Sequence, residues 1–255
     1  MPFTVSHAAA VLPLRRFRRL PLAALMIGSM SPDFSYFTPW TLYLYTHSVS
    51  ALFWFCWPVG LGLWILYVRV VEAPTLELLP GAWRARFPPS ERPFSVGLLA
   101  RASIAIVIGA STHIAWDAIT HARTPVTSVL PFMRVTVLEF GGHAMPLYKL
   151  LQHLSSLFGL AVLATWSWQL KPIEMKSSDA VSHRARLGAV LCLVTASLAW
   201  AFGNAALHST NYLEAEIFHL LAGGMAGWAM AWIAVALVMN LRSRRFAARR
   251  TYDAG

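Results

Sequence analysis

The chain has 255 residues, of which 57% are hydrophobic and 13% charged, with a net charge of +10; a soluble domain of this length carries about a quarter charged residues. The apolar excess falls into long uncharged runs, which excludes an ordinary soluble enzyme, and no polar stretch is long enough for a second, soluble domain. The arginines sit between those runs and at the C-terminus rather than along one amphipathic face, so no nucleic-acid partner is expected and the surplus reads as positive-inside loops. The two cysteines, Cys56 and Cys192, lie inside apolar runs and form neither a disulfide framework nor a ligand pair.

In chain order, Ser6 is placed to cap a short helix from His7 to about residue 17. The run 20–30 is too short to span a bilayer. Without an A-x-A-like site behind it, it is expected to dip into the membrane or pack on the bundle rather than to be cleaved. Five runs then suffice to cross a hydrocarbon core about 30 Å thick: 51–68, 94–116, 150–170, 187–203 and 217–241. The expected fold is an all-α integral membrane bundle, with these five transmembrane helices and one or two short N-terminal helices. Residues 1–241 are expected to form a single membrane domain, with 242–255 a basic cytoplasmic tail.

The loops 69–93 and 171–186 and the tail hold most of the arginine and lysine, and five spans put all three on one side, the cytoplasm. Asp33, His47, Asp117, His121 and His143 then fall on the other side, with His113 and His153 one or two turns in from it. A helix over 7–17 running back toward the cytoplasm puts His7 at the same level.

In "ASTHIAWDAITH", His113 and Asp117 are four apart, on one helical stripe, and can grip one ion. Their alternative role is a mutual hydrogen bond holding the bundle together. An ionisable pair in a membrane span is costly and marks a functional site by default. His121 is too far along a helix for the same ion unless the helix ends first, as "THARTP" suggests. It is a second-ion ligand, a group behind the ligands, or a helix-end cation. Singly, Asp33 is a turn aspartate after Pro32, His47 an interfacial histidine and His7 a first-turn residue; together on one side they form a constellation. Lys149, Gln152, His153 and Ser156 make one polar face entering the third span, a second wall of the cavity and the candidates for substrate contact with His121. His143 reads as a loop residue, with Glu139 four before it. His208, Glu216 and His219 read as an interfacial cluster, Gly223 and Gly227 as a helix-packing face, and His183 as solvated.

The stretches "MPFTVSHAAAVLPL", "GSMSPDF", "THSVS", "HIAWDAITH" and "YKLLQHLSS" resemble, over essentially the whole chain, an uncharacterised family of bacterial multi-span membrane proteins known only as a domain of unknown function. That resemblance implies the bacterial cytoplasmic (inner) membrane. The order of an early His, a Pro-Asp after a short apolar helix, a Thr-His-Ser and an H-x-x-x-D is also similar to predicted membrane-bound metal-dependent hydrolases. The H-x-x-x-D element resembles bacterial zinc-dependent phospholipases C. This likeness implies His7, Asp33, His47, His113 and Asp117 as metal ligands; the chain departs from the phospholipase pattern in having no clear H-x-x-x-E. Three histidines and two carboxylates suit zinc, and after it manganese or iron. The expected function is hydrolysis of phosphoesters of lipid-like substrates at the outer side of the membrane, with Lys149, Arg123 or Arg134 holding the phosphate charge. The alternative is a non-enzymatic membrane protein with a structural metal or an ion or proton pathway.

Overall fold

The computed structural model describes residues 3–37, 44–87, 89, 93–122, 124–140, 143–174 and 181–252, without the side chains of Phe140, His143, Glu214 and 244–252. Almost all regular structure is helical. Five helices are long and apolar enough to cross a membrane: Leu52–Leu78, the helix that begins at Val96, Leu147–Gln169, His183–Leu207 and Ala215–Ser243. Each covers most of one of the five expected runs, but the first continues past the expected span 51–68 to Leu78, so the first ten residues of the expected loop 69–93 are helical.

The chain opens with a 3-10 helix, Thr4–Arg16. Ser6, the expected cap, lies inside it; the helix starts earlier, behind Phe3, with no side-chain cap. The Thr4 hydroxyl is drawn to Asp33 instead. Helix α1 (Leu22–Met30) follows and passes directly into a second 3-10 turn, Ser31–Phe37. Pro32 has no N–H to continue the ladder, and the Gly28 carbonyl accepts instead from the Ser31 N–H and, at 2.8 Å, from the Ser31 hydroxyl.

Two prolines shape the first long helix. Its regular segments α2 (Trp57–Leu66) and α3 (Glu72–Leu78) are preceded by widened turns at Leu52–Cys56 and Tyr67–Val71. Pro58 and Pro74 cannot donate to the carbonyls four residues back, and their rings crowd those carbonyls, so the helix widens there. The Val70 carbonyl freed by Pro74 accepts from Asn240 Nδ2 at 2.8 Å. A short helix α4 (Gly81–Arg84) follows. Helix α5 (Val96–Thr120) is capped by Ser95, whose hydroxyl accepts from the Leu98 N–H. Helix α6 (Pro125–Val129) begins with a capping box between Thr124 and Thr127. Strands β1 (Thr136–Phe140) and β2 (His143–Pro146) pair antiparallel, with Glu139 opposite Ala144. Helices α7 (Leu147–Gln169), α8 (His183–Leu207) and α9 (Leu213–Tyr252) complete the chain, so the backbone of the basic tail is helical to Tyr252.

The contacts define two compact units. The first holds the N-terminal segment to Ser35, the first long helix as far as Trp64, and Pro93–Gln169; the second holds Ile65–Arg92 and Leu170–Gly255. The centre of the first unit is the crossing of α1 and α5, where glycines allow backbone contact. A Cβ on Gly28 would lie 2.4 Å from the Ile106 carbonyl oxygen, and one on Gly109 would lie 2.2 Å from that of Leu25. In the second unit α8 and α9 pack through Gly223 and Gly227. The later segments of the first long helix also pack on α9, where Trp232 Nε1 donates to Thr75 Oγ1 at 2.8 Å.

Candidate metal centre

The α1–α5 crossing sets the site. Because Gly28 and Gly109 bring the two backbones together, the Ser29 carbonyl reaches His113, which is fully buried on α5. A carbonyl only accepts, so His113 Nδ1 carries the hydrogen and donates to it at 2.7 Å. His47 is fixed the same way. The Thr46 hydroxyl donates to the Pro32 carbonyl at 2.7 Å, which leaves its oxygen to accept from His47 Nδ1 at 3.3 Å. Both rings therefore turn Nε2 inward, and these two nitrogens are 3.2 Å apart. As neutral imidazoles they would point two lone pairs at each other; a proton or a cation must lie between them.

Two carboxylates close the cage. Asp33, on the 3-10 turn behind Pro32, accepts from Thr4 Oγ1 through Oδ2 at 2.6 Å. Its Oδ1 is then left facing His47 Nε2 at 3.2 Å and His113 Nε2 at 3.6 Å. Asp117, one turn beyond His113, sets Oδ2 3.2 Å from His113 Nε2 and 3.4 Å from His47 Nε2. These five separations lie between 3.2 and 3.6 Å. A tetrahedron of zinc–ligand bonds about 2.1 Å long has edges of roughly 3.4 Å. Two carboxylates and a divalent ion also sum to zero charge, which removes the cost of burying two anions.

Asp117 has a second face. Its Oδ1 is 3.5 Å from His7 Nε2 and 3.5 Å from His121 Nδ1. His7 stacks on His113, ring centroids 3.8 Å apart. His7 Nε2 and Asp117 Oδ1 are buried and have no hydrogen-bond partner; such orphans are rare unless something else binds them. His121 gets there because α5 ends at Thr120. His121 has extended backbone, φ −120° and ψ 151°, which swings its ring back toward Asp117. Two subsets of these residues, His7–His113–Asp117 and Asp33–His47–His113, each bring ligand atoms within 4.8 Å of one another and could hold a metal ion.

The surroundings tune the groups outside the membrane span. Burial, and then the neighbouring His113 charge, pull His7 down to about 4. Burial also lowers His47, but hydrogen bonds to Asp117 and Asp33 and their charges outweigh it and hold its proton up to about 9. Burial opposes ionisation of Asp33; the His113 charge and the His47 and Thr4 hydrogen bonds prevail and keep it below the usual carboxylate range.

Of the other expected residues, Gln152 reaches the cluster, its Nε2 lying 3.3 Å from His121 Nε2. Lys149 is half-buried one turn before it, and His153 is exposed. Arg134 is exposed and donates to Ser128 Oγ. Arg123 and the His143 side chain lie outside the described residues. Thr4, Thr46 and the Ser29 carbonyl, which fix ligand orientation, carry no metal-binding signature of their own. Only their places in "FTVSH", "YTHS" and "GSMSPD", next to the candidate ligands, draw attention to them. Beside His7 lies a cavity of about 120 Å³, lined mostly by apolar side chains, among them Trp116, Phe158 and Val162, with Ser6 and Ser155.

Fold and site together define a class: helical proteins with five segments able to cross a membrane and buried His/Asp groups able to hold a metal ion. Within it, the chain belongs to the family described as Domain of unknown function (DUF4184), whose model matches residues 1–240. No curated protein and no solved structure matches it.

Proposed function

We propose that this protein is a membrane-bound, metal-dependent hydrolase acting on phosphoesters of lipid-like substrates at the non-cytoplasmic side of its membrane, with zinc as the metal. The observation that carries the metal is the pair of inward Nε2 atoms 3.2 Å apart, each with its Nδ1 hydrogen already committed, between two carboxylates. Asp33, His47, His113 and Asp117 Oδ2 would hold one ion. His7 Nε2 and Asp117 Oδ1 would supply donors for a second, and His121 Nδ1 would join them once the Gln152 amide presents its oxygen, rather than its nitrogen, to His121 Nε2. Bound there, a metal would supply Lewis acidity and lower the pKa of a water toward ~7. His121 and His47 are the partly exposed members, so substrate and water enter between them. Gln152, at His121 Nε2, decides which ring nitrogen of His121 carries the hydrogen, and Lys149, one turn before Gln152 on α7, is a candidate for the phosphate charge. The apolar cavity beside His7 supports an amphiphilic substrate.

One feature favours a second reading. The position with four protein donors is closed, as structural zinc sites are; a protein using only that position would bind metal without catalysis. Elemental analysis of the purified protein and hydrolysis of a generic phosphodiester separate the cases. Metal with chelator-sensitive hydrolysis supports the enzyme, and metal without hydrolysis the structural site. Absence of any metal sinks both.

A further inference from the structure

The α8–α9 pair is closed at one end and open at the other. Near the connection between the helices, a Cβ on Gly223 would lie 2.6 Å from the Trp200 carbonyl oxygen, and one on Gly227 would lie 2.5 Å from that of Ala196. Toward the other end the same test at Gly188 finds nothing within 4 Å. The gap is a groove of about 380 Å³, lined by Leu78, by Ala185, Gly188 and Cys192 of α8, and by Ala234 and Val238 of α9 among others, with Arg242 at its end. At roughly 30 Å³ for a water-sized group, it has room for about a dozen methylene-sized units. Water gains little there, because such walls offer it too few partners, and an empty groove would forfeit dispersion contacts along both helices.

Charge selects the occupant. Arg242 lines the groove and is exposed, while Arg184 and Arg186 flank Ala185. A guanidinium is matched by a phosphate, which accepts two parallel hydrogen bonds. The positive-inside bias assigns this end to the cytoplasmic leaflet, where anionic lipids gather against basic clusters between helices.

We propose that this groove is a binding site for an anionic phospholipid, with an acyl chain along Gly188 and Ala234 and the headgroup phosphate on Arg242. The site is independent of the histidine cluster. The test is thermal denaturation of the full chain in neutral detergent, titrated with phosphatidylglycerol, with phosphatidylcholine of the same chains, or with inorganic phosphate. Phosphatidylglycerol is expected to raise Tm saturably and the other two to leave it unchanged. Arg242→Gln, which keeps most of the stem and alters an exposed residue, should raise the half-saturating concentration by about tenfold, the loss of one charge-assisted contact. Gly188→Leu should fill the groove and abolish the response; should that variant not fold, Arg242→Gln still decides. Equal shifts with phosphatidylcholine would reduce the site to ordinary lipid contact. A matching rise with phosphate alone, no rise with phosphatidylglycerol, or an unaltered response in Arg242→Gln would each overturn the proposal.

Discussion

Each unit of the molecule contains a stacked pair of imidazoles, and the two pairs are built for different ends. In the first, His7 lies on His113 at 3.8 Å; in the second, His208 lies on His219 at 4.8 Å and 10°. In the second pair most polar groups are consumed locally, and the one buried nitrogen left over, His219 Nδ1, has no carboxylate in reach among the described residues to make a ligand set with it. His208 Nδ1 donates to the Asn204 carbonyl one turn back, Asn204 Nδ2 donates to the His219 carbonyl, and Glu216 accepts from the Thr210 N–H. That pattern ties α8 to α9 and caps the connection between them. In the first pair the local bonds are spent on Nδ1 of His113 and the neighbouring His47, and the Nε2 atoms are left facing carboxylates. Neither the pairing of histidines nor an unpartnered ring nitrogen distinguishes a metal centre from a helix tie; what distinguishes them is the pair of carboxylates that face Nε2 in the first.

The comparison breaks most visibly under ligand removal. His113→Ala and Asp117→Asn are each expected to abolish stoichiometric metal, since His113 and Asp117 enter both ligand groups or bridge them. His208→Ala should leave metal content at the parent level. His121→Ala should keep the ion held by the other four donors and lose the second. Elemental analysis on folded, monodisperse samples reads all four. Metal retained in full by Asp117→Asn would make the stripe a hydrogen-bonded tie like the one in α8–α9.

Chelation is the next largest effect. A ligand present at 1,000 times its Kd stabilises by about 4 kcal/mol. A strong chelator should therefore lower the Tm of the parent and of His208→Ala alike, and leave His113→Ala unmoved. A parent Tm indifferent to chelator would mean that the cluster is held by protons alone.

Smaller effects separate orientation from packing. Thr4→Val removes the donor that aims Asp33, and should weaken metal binding about 10–100-fold, the usual cost of losing a group that positions a ligand. Asn204→Leu should cost about 1–3 kcal/mol of stability, leaving the His219 carbonyl without its donor, with no change in metal. The glycines divide in the same way. Gly109→Ala drives a Cβ to 2.2 Å from the Leu25 carbonyl oxygen and must shift the Ser29 carbonyl, so it should lower both stability and metal affinity. Gly227→Ala should lower stability alone, by about 1–3 kcal/mol.

How much of this the sequence displays follows from what each feature depends on. The spans are legible because twenty-residue apolar runs have one physical use, and the His113–Asp117 stripe because helical spacing is periodic. The place of His121 was open in the sequence because it turns on where α5 stops, a local choice made by Thr124 and Pro125. The partners of Nδ1 were not legible at all. The Ser29 carbonyl belongs to a residue without a signature, and it reaches His113 only through the meeting of Gly28 and Gly109, which are 81 residues apart. The two strands, by contrast, stood in "VTVLEFGGHAMP", where alternation around Gly-Gly signals a hairpin; the expectation of a loop passed over it.

Protonation gives the finest test of what lies between the two Nε2 atoms. In the metal-free protein the carboxylates hold the His47 proton up to about 9, above the ordinary histidine value of 6.5. A raised folded pKa stabilises the metal-free fold fully below about pH 6.5, and that contribution fades as pH climbs through 9. The same proton must leave before a metal can take the nitrogen. Affinity should therefore rise by at least about tenfold per pH unit between 7 and 9, since the His47 proton is displaced with each ion. His7, lowered to about 4, and Asp33, held below the usual carboxylate range, are already deprotonated there and add no slope. Calorimetric titration of metal into the purified protein, in buffers of different ionisation heat at pH 7.5, should show at least one proton released per metal bound. Replacing His47 by Gln should lower that release by about one proton and reduce the pH slope accordingly. A pH-independent affinity across this window, with no proton released by the parent, would mean that the two imidazoles do not compete with a metal for the space between them.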